Sequence, residues 1–259
     1  MKPTLWRLSA CAFLVAAACQ ARADNLKGVG FTETFPDLAD CDALATDTAS
    51  GAQNTYLPLE INRQWMLSNA SCVADGECDE LEEVTITVSS ETENVDGIAT
   101  RVVEEAERVN GVLSEISRNF LVECVGTEDV YYMGEDVDIY DETGTAVIGH
   151  DGAWRAEGDN RPGILMPGGA FLVGARYFQE WAPDVALDRA ENMETGLSFD
   201  DPANGTFEGC VLIEDTNAIE DPKGKEGDEK MYCPGIGLVM DEEMELTSCT
   251  DGLGAACAQ

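Results

Sequence analysis

Apolar and polar residues alternate along much of the chain with a period of two, the period of a half-buried strand. LEEVTITVSS, at 81–90, puts Val84, Ile86 and Val88 on one face and Glu83, Thr85, Thr87 and Ser89 on the other. YLPLEINRQWMLS, at 56–68, has the same character in weaker form. Asp96-Gly97 is a turn signal, after which ATRVVEEAERV and VLSEISRNFLVEC flank Asn110-Gly111. Asn-Gly between two such runs predicts a hairpin. The rival, a helix across 100–120, would carry that pair in its middle at a cost of ~1 kcal/mol or more. VYYMGEDVDIY, at 130–140, is a further strand that turns at Thr143-Gly144 into TAVIGHDGAW.

Glycine and proline crowd residues 156–170, which read as a loop or a set of tight turns, with strand-like FLVGARYFQEWA behind them. The stretch 183–193 is either a three-turn helix opened by Pro183 or an irregular strand, because its apolar face is thin. LSFDD and TFEGCVLIED flank a second hairpin signal at 202–205, residues 218–230 form a charged loop, and KMYCPGIGLVMD with MELTSC makes the last hairpin. Short strands joined by turn signals predict a mainly β protein: a single-domain antiparallel meander, curled as a half-barrel or sandwich, with at most one or two short helices.

The two ends depart from this pattern. Residues 1–23 read as an export signal: Lys2 and Arg7 precede an apolar run too short to span a bilayer, and Ala21-Arg22-Ala23 is a cleavage site with Asp24 after it. A lipoprotein modified at Cys19 ranks second, since Ala16-Ala17-Ala18 lacks the leucine expected ahead of it. The β-rich domain then runs over 24–259, with an irregular cysteine-containing part at 24–80 and a small-residue tail at 250–259. No later apolar run is long enough for a transmembrane segment. The expected location is the periplasm or the extracellular space.

Charge narrows the partners. The chain of 259 residues carries 51 acidic and 15 basic side chains, a formal charge of −36. Removing the three basic residues of the signal gives 12 − 51 = −39 over 236 residues (259 − 23). Such a chain repels nucleic acid and anionic membranes, and suits cations or basic partners better. The cysteines after the signal are Cys41, Cys72, Cys78, Cys124, Cys210, Cys233, Cys249 and Cys257. An even count in an exported chain reads as disulfides, and eight cysteines allow 105 full pairings. Cys72 with Cys78, and Cys249 with Cys257, enclose loops short enough to close locally.

Motifs that name a reaction are missing. His150 is the only histidine, and no G-x-S-x-G, H-E-x-x-H or G-x-x-x-x-G-K-[ST] is present. His150 therefore reads as a residue that packs beside Trp154 or bonds a turn, not as a catalytic base. Alternation along 130–140 puts Asp136 and Asp138 on one face and Glu135 on the other. Asp136 and Asp138, with Glu180 and Asp184, are the candidate oxygen ligands for a divalent cation, for which calcium is the natural choice. If 183–194 were helical, Glu180, Asp184, Asp188 and Glu191 would share one face. No cofactor is required by anything in the sequence.

In this order, YYMGEDVDIY, GAWRAEGDNRPGILMPGG, ARYFQEWAPDVALDRAE, GTFEGCVLIED and MYCPGIGLV resemble an uncharacterised family of exported bacterial proteins, with YLPLEINRQW similar to its opening strand. The resemblance covers about residues 56–247 and implies a β-rich single domain in the periplasm or outside the cell. It carries no catalytic roles. The leading functional expectation is an exported, non-enzymatic binding or carrier protein for a small or lipophilic ligand. A carboxylate-dependent hydrolase, or a disulfide-stapled structural or surface-interaction protein, are the alternatives.

Overall fold

The computed structural model describes Leu38 and residues 54–124, 126–201, 205–219 and 227–259. All lie within one unit, Glu33–Gln259. The expected signal, and Cys41, fall outside the described residues.

The strands are β1 (Gln64–Ser68), β2 (Glu82–Val95), β3 (Ile98–Val109), β4 (Val112–Glu123), β5 (Val130–Tyr140), β6 (Val147–Gly149), β7 (Trp154–Arg155), β8 (Arg161–Met166), β9 (Arg176–Phe178), β10 (Glu180–Trp181), β11 (Asp188–Asp201), β12 (Gly205–Asn217), β13 (Asp228–Cys233), β14 (Gly237–Asp241) and β15 (Met244–Thr250). One short helix, α1 (Ala70–Asp75), lies between β1 and β2. The chain is mainly β, as the alternation predicts. The Asn110-Gly111 hairpin forms, with both residues at positive φ (52° and 79°), the geometry a two-residue turn needs to match strand twist.

All pairings between these strands are antiparallel. The sheet runs β10-β8-β5-β4-β3-β2-β1-β15-β14-β13-β12-β11-β9, with β6 and β7 paired to β5 beside β8. Its two ends belong to one segment. Residues 176–178 pair with β11, and residues 180–181 pair with β8. Gln179 sits at the break, donating its N–H to Asp188 O at 2.8 Å. The segment bends from one edge to the other and nearly closes the sheet into a barrel, which leaves few edge groups unpaired.

Of the two alternatives for residues 183–193, the irregular strand holds and the helix does not: Ala182 and Ala186 bridge across a tight turn with Asp184 at φ 69°, and Asp188 opens the long strand β11. Register shifts between Asn192 and Glu194 and between Thr195 and Leu197 break the alternation there, which is why its apolar face looks thin. Residues 156–170 are not all loop, since 161–166 form β8; pairing with β5 overrides the glycine and proline content.

One end of the barrel is plugged by residues 54–63. Asn54 Nδ2 donates to Glu128 O (2.7 Å) and Pro167 O (3.0 Å), while its Oδ1 accepts from the N–H groups of Tyr56 and Leu57. Gly235 N–H donates to Thr55 O and Asn62 N–H to Val88 O, so the plug is tied to opposite walls. Buried Arg63 pairs with Glu60 (2.5 Å) and donates to Gly235 O (3.1 Å) and Ile236 O (3.2 Å). Leu59, Trp65 and Leu238 fill the space above.

Three disulfides are in place: Cys72–Cys78, Cys210–Cys233 and Cys249–Cys257. Cys124 is also disulfide-bonded. Both short loops close locally, as their spacing predicts, and the second ties the tail to β15. Cys210–Cys233 joins β12 to β13 across 23 residues. In the chain-entropy account a loop of that length stabilises by roughly 3 kcal/mol. Cys210→Ser/Cys233→Ser is therefore expected to lower stability by about 3 kcal/mol in urea titration; a change under ~1 kcal/mol would show that the surrounding ladder holds these strands unaided.

Candidate functional site

Direct cross-strand partners share a face, so the register assigns the barrel's interior row by row. Nearest the plug, Val103 of β3 lies beside Asn119 of β4, and Asn119 beside Glu135 of β5. The next row is Trp65, Ile86, Glu105 and Ser117. The row after that ends in Glu107 and Glu115. On the opposite wall, Tyr232 and Lys230 follow one another along β13, with Asp215, Asp228 and Asp241 on the flanking positions. With distance from the plug the inward residues change from apolar to acidic along β3 (Val103, then Glu105 and Glu107) and β12 (Val211 and Ile213, then Asp215), while those of β2 stay apolar.

These rows enclose a cavity of about 500 Å³. Leu57, Leu59, Trp65, Leu121, Leu165 and Leu238 line its inner part. Half-buried Glu107, Glu115, Asp241 and Met244 and exposed Asp228 mark its open end. Glu180 and Asp188 reach in from the closing segment and from β11. Among the described residues nine carboxyl side chains line the cavity against one cation, Lys230.

The electrostatics follow from that crowding. Burial, with Glu107, Asp241 and Glu115 nearby, pushes Glu105 up to about 7 against the opposing pull of Lys230. Burial and the Glu105 carboxyl push Glu135 up to about 8, although the Tyr132 hydroxyl favours its ionised form. Tyr132 also donates to Asn119 Oδ1. Burial and the neighbouring charges of Asp188 and Glu135 raise Glu180 well above the carboxylate range, and it shares a hydrogen bond with Asp188 that requires a proton between them. Asp215, buried beside Lys230, is raised to about 6. Lys230 lies 3.5 Å from Asp215 and 3.4 Å from Asp241. Burial opposes its charge, but these two carboxylates outweigh it and hold the ammonium well above its usual pKa. Its 29% side-chain exposure faces the cavity.

The four carboxylates singled out for calcium fall in different environments. Asp136 and Asp138 are on the outer face of β5, opposite Glu135, as alternation requires. Asp136 takes a two-pronged bond from Arg155 (2.8 and 3.0 Å), which holds its carboxyl below the usual range. Asp138 accepts from Arg118 at 3.0 Å and lies 3.2 Å from His150 Nδ1. Glu180 faces the cavity, and Asp184 is exposed at the 182–186 turn. Among the described residues no group of three or more His, Cys, Asp or Glu side chains is arranged to hold a metal ion. His150 Nδ1 lies 2.7 Å from Val137 O of β5. Among the same residues no helix is long and apolar enough to cross a membrane.

Compared with known proteins, the chain matches no family model, no curated protein and no solved structure.

Proposed function

We propose that this is an exported binding or carrier protein that holds a small, partly apolar ligand inside its barrel. The observation that supports it best is the cavity itself: about 500 Å³, plugged at one end, open at the other, with five leucines and Trp65 among its lining residues. That volume falls in the ~300–1,000 Å³ range of small-molecule sites. A scaffold built only to present a surface has no reason to keep such a space, because an unfilled cavity costs stability. The disulfides support a location in an oxidising compartment, the periplasm or the cell exterior.

Native mass spectrometry of protein purified from its own source is expected to show an added mass that denaturation releases. Recombinant protein is expected to take up the neutral apolar fluorophore N-phenyl-1-naphthylamine. Ser117→Trp, which fills the cavity from β4, should weaken that uptake about tenfold or more. Protein that carries no adduct and takes up no fluorophore would end this reading.

A second reading, a carboxylate-dependent hydrolase, is favoured by one feature: Glu135, raised to about 8 beside Glu105, holds a proton at neutral pH as a general acid must. Turnover of simple glycosides or esters that disappears in Glu135→Gln would select it over binding alone.

A further inference from the structure

We propose, resting on the binding reading above, that the cavity is built for an organic cation with an apolar body, its charge set among the inward carboxyls and its hydrocarbon against Trp65 and the leucines by the plug.

Charge carries the first part. Lys230, the only cation lining the cavity among the described residues, is already shared by Asp215 and Asp241, so an anionic ligand finds no uncommitted positive group among them. Glu105 and Glu135 face the same space, and among the described residues neither has a basic partner within ion-pair distance. An excess of buried acid over base is costly unless something positive accompanies it. Protons supply that in the unliganded protein, and a bound cation can take their place.

Unused hydrogen-bonding groups carry the second part. Gln179, only 4% exposed at the break between β9 and β10, lines the cavity, and its side-chain amide has no partner among the described residues. Asp215 Oδ1 is buried on the opposite wall and makes no hydrogen bond, while Oδ2 of the same carboxyl lies 3.5 Å from Lys230 Nζ. Native proteins rarely leave such groups unmatched, and a ligand in the cavity would complete the Gln179 amide. The Gln179 carbonyl oxygen and the neighbouring carboxyls accept, which suits a ligand bearing N–H or polarised C–H groups around a positive nitrogen, and the Gln179 NH2 can donate to a neutral polar group of the same ligand. The third part is the apolar inner wall. Trp65 donates its indole N–H to Ile236 O (2.7 Å), so its remaining contact with the cavity is hydrocarbon and ring.

The test uses four probes on the whole protein by calorimetry at about 0.15 M salt, where surface attraction is screened beyond ~8 Å. Octyltrimethylammonium, octanol and octanoate share one tail, and tetramethylammonium has the head group alone. Octyltrimethylammonium is expected to bind about tenfold or more tighter than each of the others. In Glu105→Gln/Glu135→Gln the preference over octanol should fall to within about threefold while octanol still binds, which also shows that the variant is folded. Octanoate binding as tightly as the ammonium probe overturns the inference and leaves the binding reading intact. A cation preference that survives both substitutions also overturns it, by assigning the effect to charges other than this buried, unpaired couple. If neither octanol nor any charged probe binds, the binding reading falls with it.

Discussion

The protein is expected to be most stable near pH 5 and to lose stability steadily towards pH 9. Carboxyls whose folded pKa lies above the unfolded value favour the folded state while they keep their protons. Their contribution is complete below the ordinary value near 4.5 and is lost as pH rises through the folded pKa. Asp215 at about 6, Glu105 at about 7, and Glu135 and Glu123 at about 8 set the window between roughly pH 5 and 9. Glu123 is the clearest case. It lies fully buried at the last position of β4, with no hydrogen-bond partner that satisfies either carboxyl oxygen. Burial raises it, and the Asn54 backbone N–H offsets only part of the effect. A shift from 4.5 to about 8 corresponds to at most roughly 5 kcal/mol at ~1.4 kcal/mol per unit. The cavity acids repel one another, so their contributions do not simply add. The low-lying carboxyls work the other way. Asp136, held down by Arg155, loses its contribution only as pH falls through and below the ordinary 3.8, leaving the optimum above that range. For a chain of this size 1 kcal/mol moves Tm by ~2–4 °C, so Tm near pH 5 should exceed that near pH 9 by about 10 °C or more. Glu123→Gln should melt above the parent near pH 9 and close to it near pH 5. A parent Tm that peaks near pH 8, or a Gln variant less stable than the parent near pH 9, would contradict this account of the buried acids.

Gly163→Ala is expected to cost about 3 kcal/mol or more, well above the usual effect of a surface glycine. Gly163 lies on β8, where Tyr132 of β5 is its partner on one side and Gln179 of the closing segment approaches on the other. An added Cβ would land on the Gln179 carbonyl oxygen, inside any permitted contact, and both obstructing groups are backbone. The closing segment has to move. That strains the Gln179–Asp188 hydrogen bond and the two-residue pairing of β10 with β8. The matched control is Gly111→Ala, at φ 79° with nothing within 4 Å of the new methyl, which should cost only ~1 kcal/mol. Urea titration separates the two. Fluorophore uptake should weaken in Gly163→Ala alone, since the same seam walls the cavity. Equal costs at the two positions would mean that the seam is loose and that 176–181 does not hold the barrel shut.

Alternation along LEEVTITVSS, VYYMGEDVDIY and the Asn110-Gly111 pair of strands rests on the two-residue repeat of extended backbone, so the sequence alone is sufficient for strand identity, hairpin order and the separation of Asp136 from Glu135. Spacing likewise allows the two short disulfide loops, because few residues separate their cysteines, but it does not choose them among the 105 pairings. The acidic interior is a different matter. In β3, Val103, Glu105 and Glu107 fall on one face, and in β4, Ser117 falls with Asn119 and Glu115, but both faces of these strands are mixed and the sequence holds no rule for which one turns inward. Closure decides it. Only when 176–181 reaches both edges does the Glu105 face become an enclosed wall, opposite Lys230 and Asp215 from more than a hundred residues later in the chain. The first part of the strand at 188–201 stays open between helix and strand in the sequence for a related reason: its bulges erase the local period, and its pairing with β12 and β9 supplies the hydrogen bonds that its own pattern does not predict. Local periodicity is a property of the backbone and can be read residue by residue. Burial of a carboxyl is a property of everything that surrounds it, and the sheet brings those surroundings together only in three dimensions.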